Sequence, residues 1–447
     1  MVSQLNLGDG SITLKPFQIT GKDIKSKINT WFSIKRNQYI SIALILFFAF
    51  LVRMYLSTLQ GFEFDISLFR TWSRGVHFTG ISDFYHGVKS DYPPLYIYIL
   101  WAVGAFYELF ISSSFDIQSP VFTILLKTPA MIADIATALL IFLIVRKYGS
   151  FNMSFLCMTV YAFNPAIIYN SAIWGQVDSV YTLFLMFALM EFVSGKPMIA
   201  GTSLALGILT KPQSLVLVPL FALIMLKKHS LLTFVKVSIA SFTVFVLVAL
   251  PFYLNTSIFG LFRLYFSSYT QYPFNSLNAL NIWAFGGLFQ PDNKIFLFLT
   301  YRIWGYLLFS LLFIYVAYII TKRKDNISIY IATAILFFGF FMLFTRIHER
   351  YLFSLFAPLA VAMALDRRLS YVYLSATITF LFNLHFVLEE SKTGITFANR
   401  EFLIPVIAGI NLVLFIYTIY CFSSDLNSLK VDIKHSIKHS GIKKHHE

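Results

Sequence analysis

Residues 121–145 read VFTILLKTPAMIADIATALLIFLIV and run directly into Arg146-Lys147. An apolar run of this length, interrupted only by Lys127 and Asp134, is long enough to cross the roughly 30 Å hydrocarbon core of a bilayer as a helix. The basic pair at its far end marks that end as cytosolic. The same reading extends in both directions. The chain has 447 residues, 57% hydrophobic and 13% charged, with mean hydropathy +0.71. That is more apolar surface than a soluble core can hide, so lipid is the solvent for most of it.

Eleven further segments join this one: Tyr39 to Leu56, Ser154 to Tyr169, Val177 to Val193, Pro197 to Leu209, Ser214 to Leu226, Leu231 to Tyr253, Ile295 to Thr321, Ile327 to Phe344, Tyr351 to Leu365, Tyr371 to Val387 and Phe402 to Phe422. The predicted fold class is all-α, a polytopic transmembrane helical bundle of about 12 spans with both termini cytosolic. Pro94 to Ile111 is also apolar. Counting it as a span would put Arg146-Lys147 and every later basic cluster on the wrong side, so it is laid along the outer surface or made re-entrant.

The organisation that follows is a basic cytosolic tail (1–38), a transmembrane domain (39–423) and a second basic cytosolic tail (424–447). Two extracytoplasmic loops stand out within the domain, 57–120 and 254–294. The first tail lacks the charged head and cleavable apolar core of a signal peptide, so the first span reads as an uncleaved anchor. The net charge of +14 is topological: the inner side holds 22 Lys+Arg against 8 Asp+Glu, and the outer side 13 against 13. No nucleic-acid partner is needed to explain it. Cys157 and Cys421 sit in apolar segments and read as packing residues, without a disulfide or a zinc site.

With the basic clusters set aside, the remaining polar residues of note fall in outer loops or at outer span ends. The first loop contains FEFDISLFRTW (62–72), where helical spacing puts Asp65 and Phe69 on one face with Trp72 beside them. Asp65 is then either a general base against an aromatic surface or a plain surface charge, and Glu63 stands two residues before it. Asp91-Tyr92-Pro93-Pro94-Leu95 makes a stiff corner, with Pro94 near the first turn of a helix and Asp91 close to its positive end.

Trp174, Gln176 and Asp178 follow the Asn164-Pro165 break and precede another span. Gln176 and Asp178 suit sugar hydroxyls and Trp174 a stacking face; a capped interfacial turn is the structural alternative. Lys211 sits in the Thr210-Lys211-Pro212 turn between two short spans, which polar backbone tolerates at depth only beside a cavity. Thr345 to Tyr351 is the densest polar cluster at a span boundary. Were it helical, Arg346 and Arg350 would align at i, i+4, flanked by His348 and Glu349, in an arrangement suited to a phosphate or to a salt-bridge network between spans. Lys127 and Asp134 read more readily as partners of other spans than as site residues. The loop 254–294, aromatic and rich in Asn, suits an acceptor-binding flap.

In this order, Asp65 with Trp72, the DYPP corner at 91–94, Asp134, Asn164-Pro165 with Gln176, the Leu209 to Pro212 turn and Arg346-Ile-His-Glu-Arg350 resemble the GT-C superfamily of membrane glycosyltransferases. The likeness is strongest to the dolichyl- or polyprenyl-phosphate-glucose glucosyltransferases and the dolichyl-phosphate mannosyltransferases. The resemblance implies an inverting transfer of mannose or glucose from a polyprenyl-phosphate or dolichyl-phosphate carrier to a glycan, lipid or protein acceptor on the extracytoplasmic face. Asp65 would be the base; Arg346, His348, Arg350 and Lys211 would hold the donor phosphate; Glu63, Trp72, Asp91, Tyr92, Trp174, Gln176, Asp178 and Glu349 would line the substrate site. The membrane would be the plasma membrane of a prokaryote or the endoplasmic reticulum.

The chain departs from those families in reading His-Glu-Arg for His-Glu-Lys and Glu63-Phe-Asp65 for Asp-x-Asp. No metal cofactor is required if the cations suffice, although Glu63 with Asp65 leaves a divalent ion open. A lipid-linked sugar transporter or flippase, and an oligosaccharide ligase or polymerase, are the competing classes. The first shows no internal repeat here, and the second would not call for the first-loop Asp and the DYPP corner.

Overall fold

The computed structural model describes residues 34–323, 325–393 and 402–424. The chain divides into two units, Met1–Phe48 and Ala49–Glu447. Residues 34–48, the described part of the first, are almost wholly helical. The rest of the N-terminal tail, and the C-terminal tail from 425, lie outside the described residues.

Among the described residues, six helices are long and apolar enough to cross a membrane: α1 (Lys35–Leu56), α4 (Pro120–Arg146), α9 (Leu231–Ala249, continued by a 3-10 turn to Tyr253), α11 (Tyr301–Lys322), α14 (Leu369–Thr393) and α15 (Leu403–Ser424). A seventh candidate is α5 (Phe151–Ala162) together with Pro165–Trp174, which bend by 41° where Asn164 and Pro165 interrupt the helix. The proline nitrogen has no hydrogen to give, and the Asn164 side chain takes over by accepting from the amides of Ala166 and Ile167.

The other five expected spans appear as shorter helices: α6 (Asp178–Val193), α7 (Pro197–Thr210), α8 (Val218–Lys228), α12 (Ser328–Leu343) and α13 (Phe356–Ala362). Lengths follow surroundings. In α9 only Val237 and Ala249 are buried, while Leu231, Leu232, Ile239, Phe242 and Leu247 are exposed, the pattern of a helix with one side in lipid. In α12 every residue but Phe340 is buried, and a helix shielded by protein at both ends can be shorter than the bilayer is thick.

The segment expected as the first extracytoplasmic loop is largely helical. Helix α2 (Glu63–Thr79) packs on α3 (Pro94–Phe110) through Phe69, Trp72, Tyr96, Ile97 and Leu100. Pro93 is extended and Pro94 opens α3, the preorganised start that two consecutive prolines dictate. The segment Ile295–Thr300, read as the beginning of the eighth span, is instead a small hairpin of β1 (Ile295–Phe296) and β2 (Leu299–Thr300). Thr300 caps α11 by accepting from the amide of Ile303, so the helix cannot start earlier. The loop before it contributes α10 (Phe259–Thr270).

Two buried cations fasten the interior. Arg53 Nε donates to Asp134 Oδ2 at 3.1 Å, both side chains fully buried, and the same carboxylate accepts from Ser171 at 2.5 Å and Ser179 at 2.6 Å. About two turns earlier on α4, Lys127 Nζ donates at 3.0 Å to the carbonyls of Ser57, Leu59 and Ile173. It thereby closes the carbonyl end of α1 and holds it against the Pro165–Trp174 segment. Both residues are accordingly partners of other segments. Removing one member of a buried pair strands the other charge, so Asp134→Ala should lower unfolding free energy in detergent by about 3–5 kcal/mol, and the double change Arg53→Leu with Asp134→Leu should recover most of it. Single and double variants losing the same amount would show that packing, not charge, is at stake.

Candidate active site

Asp65 lies in the first turn of α2, where the helix dipole favours a carboxylate. It is 7% exposed. Trp174 Nε1 donates to its Oδ2 at 2.9 Å and Gln176 Nε2 donates to the same oxygen at 2.5 Å. Oδ1 accepts no hydrogen bond among the described residues, so one oxygen is fixed and the other is free for a reacting group.

This clamp depends on an irregular backbone. Tyr169–Trp174 is a π-helix, and Gly175 ends it in the left-handed region at φ 91°. The amides of Gly175 and Gln176 both donate to the Asn170 carbonyl, which aims Trp174 and Gln176 at α2. A Cβ on Gly175 would lie 2.5 Å from Ile66 Cδ1. The turn is therefore built for glycine on two counts.

Around the clamp the structure gathers Asp91, Tyr92, Lys211, His348, Glu349 and Arg350. Tyr92 donates its hydroxyl to Gln176 Oε1 at 3.3 Å. Lys211, extended before Pro212 as that proline requires, donates to Asp178 Oδ1 at 2.6 Å. Its ammonium also lies 5.5–5.9 Å from the ring centres of Tyr351, Tyr92 and Tyr181.

Arg350 donates Nη1 to Glu349 Oε1 at 2.9 Å, while its Nε is buried without a partner among the described residues. Against the effect of burial, the negative charges of Asp65 and Glu349 hold this guanidinium well above its usual range, although no hydrogen bond or ion pair joins Asp65 to it. Burial, reinforced by the positive charges of Arg350 and Lys211, holds the His348 imidazole well below its usual range, so it is neutral. Burial likewise raises the carboxyl groups of Asp91 and Glu349, against the pull of Arg350.

Several expected ligands take other parts. Arg346 does not align with Arg350, because residues 345–348 are not helical and Arg346 itself has a left-handed φ of 64°. Its Nε donates to Asp292 Oδ2 at 2.6 Å and its Nη1 to the Tyr269 carbonyl, tying the long loop 254–294 down. The Trp174 ring is fully buried and stacked on Phe62 at 4.7 Å, which leaves no face for a sugar. Gln176 spends its amide on Asp65, and Asp178 is the counter-ion of Lys211 and an acceptor for Asn170. Trp72 is a core residue that donates to the Lys89 carbonyl. Glu63 accepts from Arg70 at 2.7 Å and its side chain is 58% exposed, so it diverges from buried Asp65. Among the described residues no three His, Cys, Asp or Glu side chains lie together as metal ligands.

Sequence reasoning missed Tyr181 and Tyr351, which with Tyr92 cage Lys211, and Asp292, the partner of Arg346. Asp292 had a signal: it is the sole carboxylate in the loop 254–294. Nothing local told which arginine it would meet.

No family model matches the sequence, and no curated protein does. Among solved structures, the chain is similar to the apo form of the Archaeoglobus fulgidus oligosaccharyltransferase, with TM-score 0.46 and 14% sequence identity over 87% of this chain. The match covers 56% of that protein, so the chain spans little more than half its length.

Proposed function

We propose that the protein is an inverting membrane glycosyltransferase of the GT-C type that moves a hexose from a polyprenyl-phosphate or dolichyl-phosphate carrier to an acceptor on the extracytoplasmic face. The observation that carries this reading is the state of Asp65. It is a buried carboxylate with one oxygen clamped by two N–H donors and the other unengaged, and its charge helps raise the Arg350 guanidinium without forming an ion pair with it. A base and a cation held near each other but apart suit a substrate between them.

In that arrangement Asp65 Oδ1 takes the proton of an acceptor hydroxyl as the hydroxyl oxygen attacks the anomeric carbon. The bond from that carbon to the phosphate oxygen breaks on the opposite side, so the configuration inverts and the products are the glycoside and the free polyprenyl phosphate. Arg350, with Nε unpartnered, is the group that offers positive charge to the departing phosphate. Lys211 is largely neutralised by Asp178, and neutral His348 offers a hydrogen bond and not a charge. Trp174 and Gln176 keep the base oriented, and Tyr92 extends that support toward Lys211. Asp91 and Glu349 remain candidates for the sugar hydroxyls. A metal held jointly by Glu63 and Asp65 would require Glu63 to abandon Arg70.

The test is transfer of radiolabelled hexose from polyprenyl-phosphate-mannose and polyprenyl-phosphate-glucose to a lipid extract of the host, by purified protein in liposomes with and without EDTA. Wild type should transfer in both conditions, and Asp65→Asn should lower kcat by about 10²–10⁴. No transfer from either donor, together with carrier translocation that tolerates Asp65→Asn, would replace the transferase with a flippase.

The two arginines should separate in the same assay. Arg350→Gln should cost on the order of 10²–10³ in kcat, while Arg346→Gln, which only releases the loop held through Asp292 and Tyr269, should cost less than about tenfold. Equal losses would contradict the assignment of the phosphate to Arg350. Gln176→Leu removes one hydrogen bond to a charged group, worth about 1.5–3 kcal/mol, and should lower kcat about 10–100-fold with donor KM little changed.

A further inference from the structure

In the hairpin of β1 and β2, Ile295 stands opposite Thr300 and Phe296 opposite Leu299, which leaves Leu297-Phe298 as a two-residue turn. Leu297 takes a left-handed φ of 59°, and Phe298 does not. A positive φ at the first turn position alone is where hairpins favour glycine, and a leucine there carries a backbone cost that glycine escapes. Contacts within the protein do not offset that cost, because Ile295, Leu297 and Phe298 are 69–74% exposed. Turns facing water draw on Gly, Asn, Asp, Pro and Ser. A tip reading Ile-Phe-Leu-Phe is instead suited to apolar surroundings.

The contacts of the hairpin fix the direction of its tip. Trp304 lies one turn into α11; its Nε1 donates to the Phe296 carbonyl at 3.0 Å, and its ring meets that of Phe298 edge-on at 4.9 Å. The Phe296 ring stacks on Tyr301, in the first turn, at 5.5 Å. The strands thus fold back beside the span instead of rising beyond its end. Lys322, in the last turn of α11, follows Trp304 by eighteen residues, about 27 Å of helix. A hydrocarbon core of roughly 30 Å measured from that lysine reaches past Trp304. Ile303 and Leu307 are exposed on the same stretch of α11, so the tip continues an apolar surface of the span itself.

A protein partner fits this tip poorly, since a specific interface takes roughly 800 Å² from each side, more than a two-residue turn and one short strand offer. We propose that the hairpin is a lipid anchor, with Leu297 and Phe298 seated among the acyl chains of the leaflet at the end of α11 opposite Lys322. Trp304 then lies at the edge of the hydrocarbon, a usual place for tryptophan. The anchor fixes more than itself. The amide of Tyr301 donates to the Lys294 carbonyl at 3.2 Å and that of Arg302 to the Asp292 carbonyl at 3.0 Å, and Asp292 is the counter-ion of Arg346. The last residues of the loop 254–294 are thereby held between the bilayer and Arg346, whatever chemistry takes place at Asp65.

The test irradiates the full-length protein in phosphatidylcholine nanodiscs that contain phosphatidylcholine with a diazirine near the carbonyl end of one acyl chain, and maps the adducts by peptide mass spectrometry. Adducts on 295–298 should come within about threefold of those on 303–307 and exceed those on the exposed Asn293 and Lys294 at least tenfold. Leu297→Asn combined with Phe298→Ser supplies a polar pair that the turn accepts. It should cut the hairpin adducts at least tenfold and leave those at Ile314, exposed further along α11, unchanged, which shows the span intact. A water-soluble diazirine labelling 295–298 as heavily as Asn293 and Lys294 would place the tip in water. Protection from both reagents would cover it with protein, either a second copy or another segment of this chain. Each of these results overturns the anchor, as would lipid adducts on the hairpin that survive the double change.

Discussion

Three carbonyl oxygens meet one ammonium group at Lys127, and much of the molecule's arrangement depends on that meeting. Ser57 and Leu59 follow the end of the first long helix and lead into the segment that carries Asp65, whereas Ile173 is the penultimate residue of the π-helix that carries Trp174. Without the ammonium, exposed carbonyls would face each other in an apolar interior, where each unsatisfied group is costly. With it, two segments more than a hundred residues apart are held close enough for Trp174 and Gln176 to reach one carboxylate oxygen. The Arg53–Asp134 pair, about two turns along the same helix, binds the same segment again through Ser171. Both fastenings come from α4, the helix whose sequence first declares the chain a membrane protein.

The electrostatics of the site follow from cancelling charges. Lys211 is matched by Asp178, Arg346 by Asp292 and one arm of Arg350 by Glu349. His348 contributes no charge because two cations and burial keep it neutral. What is left is the unengaged Oδ1 of Asp65 and the Nε of Arg350, buried without a partner among the described residues. A cluster that looked densely cationic in sequence is, in three dimensions, a sparsely charged one whose residual field runs between a carboxylate and a guanidinium. That economy suits a buried setting, where every uncompensated charge carries a desolvation cost.

Much of the fold was legible, and the reasons for the exceptions are physical. Hydrophobic runs located the helices because lipid imposes one strong rule on the backbone. The helical first loop and the proline-opened α3 also followed from local chemistry. Ile295–Thr300 escaped because an apolar hairpin and an apolar helix share a composition, and only the Thr300 cap separates them. In the candidate site, Asp65 and Tyr92 come together through Gln176, and Arg350 pairs with Glu349. The partners of Asp65 and Tyr92 were not legible, because that pairing depends on segments far apart in the chain. Arg346 was misplaced by assuming helical spacing through a stretch where the backbone turns left-handed. Trp174 and Gln176, expected to meet a sugar, donate to Asp65 in the structure. They face the protein's own carboxylate instead of a sugar, a distinction that residue type alone cannot make.

The π-helix at 169–174 also bears on how such a chain can change over time. A π turn is an α turn with one residue more, and here that surplus rotates the following side chains onto Asp65. Losing a single residue from the stretch would restore a regular helix, preserve its apolar character and its fit in the bilayer, and turn Trp174 and Gln176 away from α2. Descent by small insertions and deletions thus has a cheap route into and out of activity at this point, invisible to any measure of composition or hydropathy.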